Sequence, residues 1–177
     1  MNFDVRDLTL QKYWHVTGLR RSTVLWNARL SNGWVPTMSM VRLMPGMQNA
    51  VAPHDFMPKL GKQLEQTWEE VRSHEFPVML PRSGAIFLFD VEEAANASAL
   101  RWFGDSEVVV VEARIHKSSR LHRGHLGWFE ESPDNFENAA KMYWSGSESD
   151  RPPGHWECLV HGAVYFPDWQ LPPFGSY

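Results

Sequence analysis

Two side chains far apart in the chain, His15 and Glu157, offer the most chemistry. His15 lies in Tyr13-Trp14-His15-Val16-Thr17, a run of aromatic and β-branched residues that reads as a strand. On a strand His15 and Thr17 share one face, and Trp14 and Val16 the other. An imidazole and a hydroxyl side by side can grip a ribose diol; a histidine in a strand is also, and more commonly, a satisfied core or edge residue. Glu157 stands between Trp156 and Cys158-Leu159-Val160, in a segment that otherwise favours burial. A buried carboxylate without a partner is costly. Glu157 therefore either turns to solvent by strand alternation or is aimed at developing positive charge or at a hydroxyl it must orient. Another group, His116, His122 and His125 with Arg114, Arg120 and Arg123, contains three imidazoles but neither an acid nor a cysteine. Its spacing matches no zinc pattern, so no metal is assigned. A basic loop touching phosphate, or a merely solvated loop, fits it better. Cys158 sits mid-strand, alternates away from Glu157 and reads as a small packed hydrophobe.

The elements that must position these groups centre on residues 85–90, Ala-Ile-Phe-Leu-Phe-Asp. Five apolar residues in succession suit a strand buried on both faces. Asp90 then stands where a helix N-cap is wanted, ahead of Glu92 and Glu93 in the first turn of a helix over 91–102. The clearest helix is 59–74, with Leu60, Leu64, Trp68 and Val71 on one stripe. A later helix, opened by Ser132-Pro133, puts Phe136, Ala140, Tyr143 and Trp144 on one face. Residues 22–34 form a short helix or strand, and a strand is expected around 38–43. A loop with several Met and Pro follows over 44–58, and a strand over 107–116 precedes a polar loop over 117–127. The last strand, 156–166, is interrupted at Gly162, and the tail is extended or loosely packed. Strands and helices interleave without regular βαβ units, which predicts an α+β fold. No Gly-rich fingerprint follows a strand, so a dinucleotide would not be held in the Rossmann manner.

The 177 residues fit one domain spanning 1–177. A net charge of -4 does not point to bulk nucleic-acid binding. One cysteine excludes an internal disulfide and suits a reducing cytoplasm. The first residues lack the basic and apolar regions of a signal peptide. No run approaches the ~18 apolar residues of a membrane span.

Three stretches, in this order, resemble the ADP-ribosyltransferase fold, in the branch of poly(ADP-ribose) polymerases and diphtheria-type toxins. Trp14-His15-Val16-Thr17 is similar to that family's histidine strand. Ile86-Phe87-Leu88-Phe89-Asp90 is similar to its aromatic strand followed by a helix, and Glu157-Cys158-Leu159-Val160 to the strand that opens with its glutamate. The matches span residues 13–160. Residues 69–89 also resemble small bacterial and phage proteins of this type.

The resemblance implies split, mainly antiparallel β-sheets flanked by helices. It implies NAD as co-substrate, with ADP-ribose transferred to a macromolecular acceptor, protein before nucleic acid, as in a toxin, effector or counter-defence protein. It implies that His15 bonds the adenosine ribose, that Thr17 assists near the nicotinamide ribose and that the backbone of Val16, where the family has Gly, bonds the nicotinamide amide. Phe87, in place of Tyr, would stack on nicotinamide. Ser98 stands near the place of a second aromatic ring, with Trp102 further on. Glu157 would bond the nicotinamide-ribose hydroxyl and stabilise an oxocarbenium-like state, as carboxylates do in glycoside hydrolysis. Acceptor choice would lie in loops, 44–58 and 117–131. The departures at Val16, Phe87 and the second ring leave two alternatives: an inactive module on the same scaffold that binds a nucleotide or a protein partner, and an NAD glycohydrolase.

Overall fold

In the computed structural model, which describes residues 3–19, 22–50, 62–103 and 107–174, the aromatic and β-branched run near the start forms strand β1, Tyr13–Gly18. Ser22 then caps helix α1, Thr23–Leu30, by accepting the Leu25 N–H at 3.2 Å. Strand β2 is Trp34–Pro36. The strand expected around 38–43 is instead a short helix, α2, Met38–Val41. Thr37 stays extended while its carbonyl accepts from Met40 and Val41, and unbranched Met residues suit a helical turn better than a pleat. Turns continue through residues 44–50; the rest of the expected 44–58 loop lies outside the described residues, as does Leu60.

Helix α3, Lys62–Glu75, buries Leu64, Trp68 and Val71, the stripe its periodicity sets. Strand β3, Ile86–Leu88, leads to helix α4, Glu92–Phe103. Asp90 does not cap that helix. The first helical bond runs from Ala95 N–H to the Val91 carbonyl, and the Asp90 carboxylate pairs with Arg123 at 2.6 Å. Strand β4 is Val108–Ile115, helix α5 Phe136–Trp144, strand β6 Trp156–His161 and strand β7 Ala163–Tyr165. The expected polar loop 117–127 is largely strand β5, Arg120–His125. Its charged residues hid a pattern that packing supplies: His122 and Gly124 lie against the aromatic face of α5. The tail is likewise anchored, since Phe174 is buried against Phe166.

The strands make two sheets, ordered β1-β4-β7-β2 and β3-β6-β5, with every ladder antiparallel. This is an α+β fold of antiparallel sheets with helices packed on them. Among the features that join the sheets are a main-chain bridge and a glycine. Trp14 and Phe89 exchange main-chain hydrogen bonds at 2.9 and 2.8 Å, tying β1 to the end of β3. Gly162, at φ 147°, lets the chain step from β6 in one sheet to β7 in the other, where a side chain would strike Ser119.

Strand alternation sorts residues into two cores. Ile86, Leu88, Cys158 and Val160 pack with Tyr13, Val111, Ala113 and Val164. On the other side Phe87, Phe89 and Leu159 pack with Trp68 of α3, Ala95 of α4, and Tyr143 and Trp144 of α5. No described helix is long and apolar enough to cross a membrane.

A methyl group at position 124 would enter the Tyr143 ring. Gly124→Ala is therefore expected to destabilise the protein by about 1–3 kcal/mol through overpacking. Thermal unfolding checks this, and an unchanged midpoint would show that α5 can move off β5.

Candidate functional site

β1 holds His15 at the junction of the two sheets. The ring is 7% exposed, and its Nδ1 lies 2.8 Å from the Phe87 carbonyl. A carbonyl only accepts, so Nδ1 carries the proton and the neutral ring presents a lone pair at Nε2. That Nε2 is buried and has no hydrogen-bond partner among the described residues. Burial lowers the His15 pKa and the Phe87 hydrogen bond partly opposes this, so the ring is neutral near pH 7. Thr17 bonds the Ser22 hydroxyl at 2.8 Å, tying β1 to the cap of α1. Val16 points the other way, into the core beneath α4.

The second cluster forms on the helix-covered face of β3-β6-β5. Phe87 and Glu157 share this face, because Phe87 is opposite Leu159 and Glu157 is two residues from Leu159 on β6. Glu157 is 1% exposed. Its Oε1 accepts from the Arg82 guanidinium and, at 2.6 Å, from the Tyr143 hydroxyl. Arg82, 5% exposed, also donates from Nε to Glu65 at 3.3 Å and from Nη1 to the Tyr143 hydroxyl. Its guanidinium lies over three rings, 4.9 Å from the centre of Phe87, 4.8 Å from Phe129 and 5.3 Å from Tyr143. Burial alone would lower the Arg82 pKa, but Glu157, Tyr143 and Glu65 reverse this and raise it. Burial raises the Tyr143 pKa well above the usual phenol range, Arg82 opposes, and Glu157 adds to the rise. The cluster is thus a guanidinium, a neutral phenol and the acid they bond.

Glu157 is therefore not on a solvated face; of the two situations its sequence context suggested, it faces positive charge and a hydroxyl, both supplied from within the chain by Arg82 and Tyr143. The roles that the resemblance implies for His15, Phe87 and Glu157 require the three side chains to meet on one NAD, and the structure brings only two of them together. Phe87 and Glu157 meet at Arg82, whereas His15 faces the core between the sheets, sets its ring edge-on to Phe166 and meets Phe87 through the latter's carbonyl. Period-two alternation is the reason: His15 follows the parity of Tyr13, which packs with Leu88 and Cys158, the opposite side of the second sheet from Glu157. Ser98 is buried with Ala94, Ala95 and Ala99 on the inward face of α4.

The three imidazoles of the basic stretch are kept apart. His116 contacts the Phe3 and Trp34 rings, His122 stacks on Trp144 at 5.1 Å, and His125 accepts from Gly127 N–H beside Trp156. A surface concavity lined by Arg29, Trp169 and Gln170 includes none of the site residues. Burial, largely, holds Cys158 up near 12, so its thiol is inert.

Sequence reasoning did not single out Arg82, Tyr143 or Phe129 as site residues. The available signal was Glu157 itself. A carboxylate in an apolar strand demands a buried cation, and Arg82 stands just ahead of the apolar strand that pairs with it.

A family model described as "Protein of unknown function (DUF2441)" matches residues 46–168 of the 177, so the chain belongs to that family. The match includes Arg82, Phe87, Ser98, Tyr143 and Glu157 but not β1 with His15. No curated protein matches the chain.

Removing one partner of a buried ion pair strands the other, at a cost of about 3–5 kcal/mol. Arg82→Met and Glu157→Leu should each destabilise by that order, and the double variant by much less than the sum. Denaturant unfolding of the four proteins measures this coupling; simple additivity would contradict the pairing.

Four histidines, His122 half-buried and His15, His125 and His161 buried, set an acid limit. Burial lowers His122 to about 4, and lowers His161 to about 4 with Arg120, His122 and Arg72 adding to the effect; burial lowers His15 and His125 as well. Their folded pKa values lie below the unfolded value of about 6.5, so the unfolded chain binds more protons as pH falls. Stability should therefore decline from about pH 6.5 toward 4. His122→Gln should make that decline shallower, as read from melting midpoints across the range.

Proposed function

We propose that this member of the DUF2441 family is an ADP-ribosyltransferase-like protein that takes NAD as co-substrate and transfers its ADP-ribose to a macromolecule, protein before nucleic acid. The observation that carries this reading is the lone pair on His15 Nε2, buried, fixed in direction by the Phe87 carbonyl and without a partner among the described residues. Leaving a buried polar group unmatched costs about 1–3 kcal/mol. A hydroxyl donor would recover that energy, and a ribose diol supplies two.

The arrangement of the motifs supports the same reading. β1 is bridged to the end of β3, and β3 is laddered to β6, so the three motif strands are neighbours. Phe87 and Glu157 present an aromatic plane and a carboxylate to one flat cation, now Arg82. Breaking the nicotinamide–ribose bond generates an oxocarbenium-like sugar that needs negative charge nearby. Glu157 is suited to that role once Arg82 is displaced. The backbone of Val16 and the hydroxyl of Thr17 lie on the same strand as His15, and Ser98 lies on the helix that follows β3.

A second reading is favoured by the sealing of Glu157 under Arg82 and Tyr143. In it the protein is an inactive module that keeps the scaffold and binds a nucleotide or a protein partner.

Calorimetry with NAD and mass spectrometry of candidate targets separate the two. The wild type is expected to bind NAD, and His15→Phe, which removes the acceptor while filling its space, to bind about tenfold more weakly, the worth of one hydrogen bond. Glu157→Gln is expected to lose target modification. Equal modification by both proteins removes Glu157 from the mechanism, and NAD binding without any modification selects the inactive module. Release of free ADP-ribose without a target indicates a glycohydrolase, while no heat with NAD would falsify the co-substrate assignment.

A further inference from the structure

Arg82 is held as a ligand is held. Its planar guanidinium lies among the Phe87, Phe129 and Tyr143 rings, and its edge bonds Glu157, Tyr143 and Glu65. Rings around a cation with carboxylates at its edge are a recognition site for flat, positively charged groups. The rings and Glu157 come from four separate elements: β3, the 3₁₀ turn Leu126–Glu130, α5 and β6. Arg82 comes from a fifth, the turn Arg82–Gly84 that ends the connection between α3 and β3.

That connection, residues 76–84, lies as a strap beside the sheet and is not paired into it. Its ties include Arg72 Nη1 to the Met79 carbonyl at 2.7 Å and Arg120 Nη2 to the Val78 carbonyl. Val78 itself is exposed. Gly84 sits directly on Ser39 of α2, where even a methyl group would come within 2.9 Å of the Ser39 Cβ, so the strap is closed at that end.

From this we infer that Phe87, Phe129, Tyr143 and Glu157 form a seat for a planar cation, that Arg82 fills it as an internal ligand, and that the strap must lift to admit an external one. Resting on the reading above, the external ligand is the nicotinamide end of NAD, itself a flat aromatic cation. The resting protein is then self-blocked, and Arg82 competes with substrate for Glu157.

The test uses the full chain. Arg82→Ala vacates the seat. Millimolar methylguanidinium is expected to raise the melting temperature of Arg82→Ala by several degrees, and to raise neither the wild type nor Arg82→Ala/Glu157→Gln. The 1-methylnicotinamide cation is expected to bind Arg82→Ala at least tenfold more tightly than wild type. An equal response of wild type and Arg82→Ala to methylguanidinium overturns the seat. Rescue by methylguanidinium without binding of 1-methylnicotinamide keeps the seat and removes nicotinamide from it, which separates this inference from the NAD reading. Should Arg82→Ala not fold, Arg120→Ala, which cuts one tie of the strap, decides. Its affinity for 1-methylnicotinamide is expected to rise about fivefold over wild type, and an unchanged affinity overturns the blocking role of the strap.

Discussion

The bond between Arg82 and Glu157 constrains more of this structure than any other single contact. Each residue would be costly to bury alone, and together they are tolerated only because further groups complete their coordination. The Tyr143 hydroxyl and Glu65 do so, and they fix the positions of α5 and α3. The three rings around the guanidinium bring β3, the 3₁₀ turn Leu126–Glu130 and α5 together on one side chain. Even Gly124 follows from this demand: the Tyr143 ring that reaches Glu157 occupies the space beside position 124, and only a residue without a side chain leaves room for it. A charge in one strand thus dictates a glycine in its neighbour and a tyrosine on a helix.

The junction of the sheets obeys a different rule. Trp14 and Phe89 pair by main chain alone, so their bridge is indifferent to which face each side chain takes. Alternation on either side of it then sends His15 to one core and Glu157 to the other. Nearness in the sheet does not give nearness of side chains. The tautomer of His15 is set by a carbonyl at the edge of β3, so backbone geometry, rather than any neighbouring charge, decides that this ring can only accept at Nε2.

Patterns of burial were readable before any coordinates. The stripe Leu64, Trp68, Val71 gave α3, the run at 86–89 gave β3, and Gly162 marked the break between β6 and β7. Elements whose cause is tertiary were not readable. β5 carries two Arg and two His, and its strand character comes from packing beneath Tyr143 and Trp144. α2 depends on Thr37, whose hydroxyl accepts the Gly162 N–H from a residue 125 positions away. Asp90 had two uses open to it, cap or ion pair, and Arg123, which local sequence does not bring near, decided between them. The same holds for the site: Glu157 announces that it needs a partner, but only the fold says that the partner is Arg82.

The interactions that hold the cluster together are also those that close it. A ligand changes an equilibrium only by its differential affinity for the two states. Any molecule that displaces Arg82 must therefore match what Arg82 gives up: stacking against Phe87, Phe129 and Tyr143, and a charge-assisted bond to Glu157. A neutral or non-planar group cannot, since it would leave the Glu157 carboxyl buried without the partner that Arg82 supplies. Selectivity for flat cations consequently arises from the stability of the resting state itself. The tighter Arg82 is held, the fewer kinds of molecule can replace it.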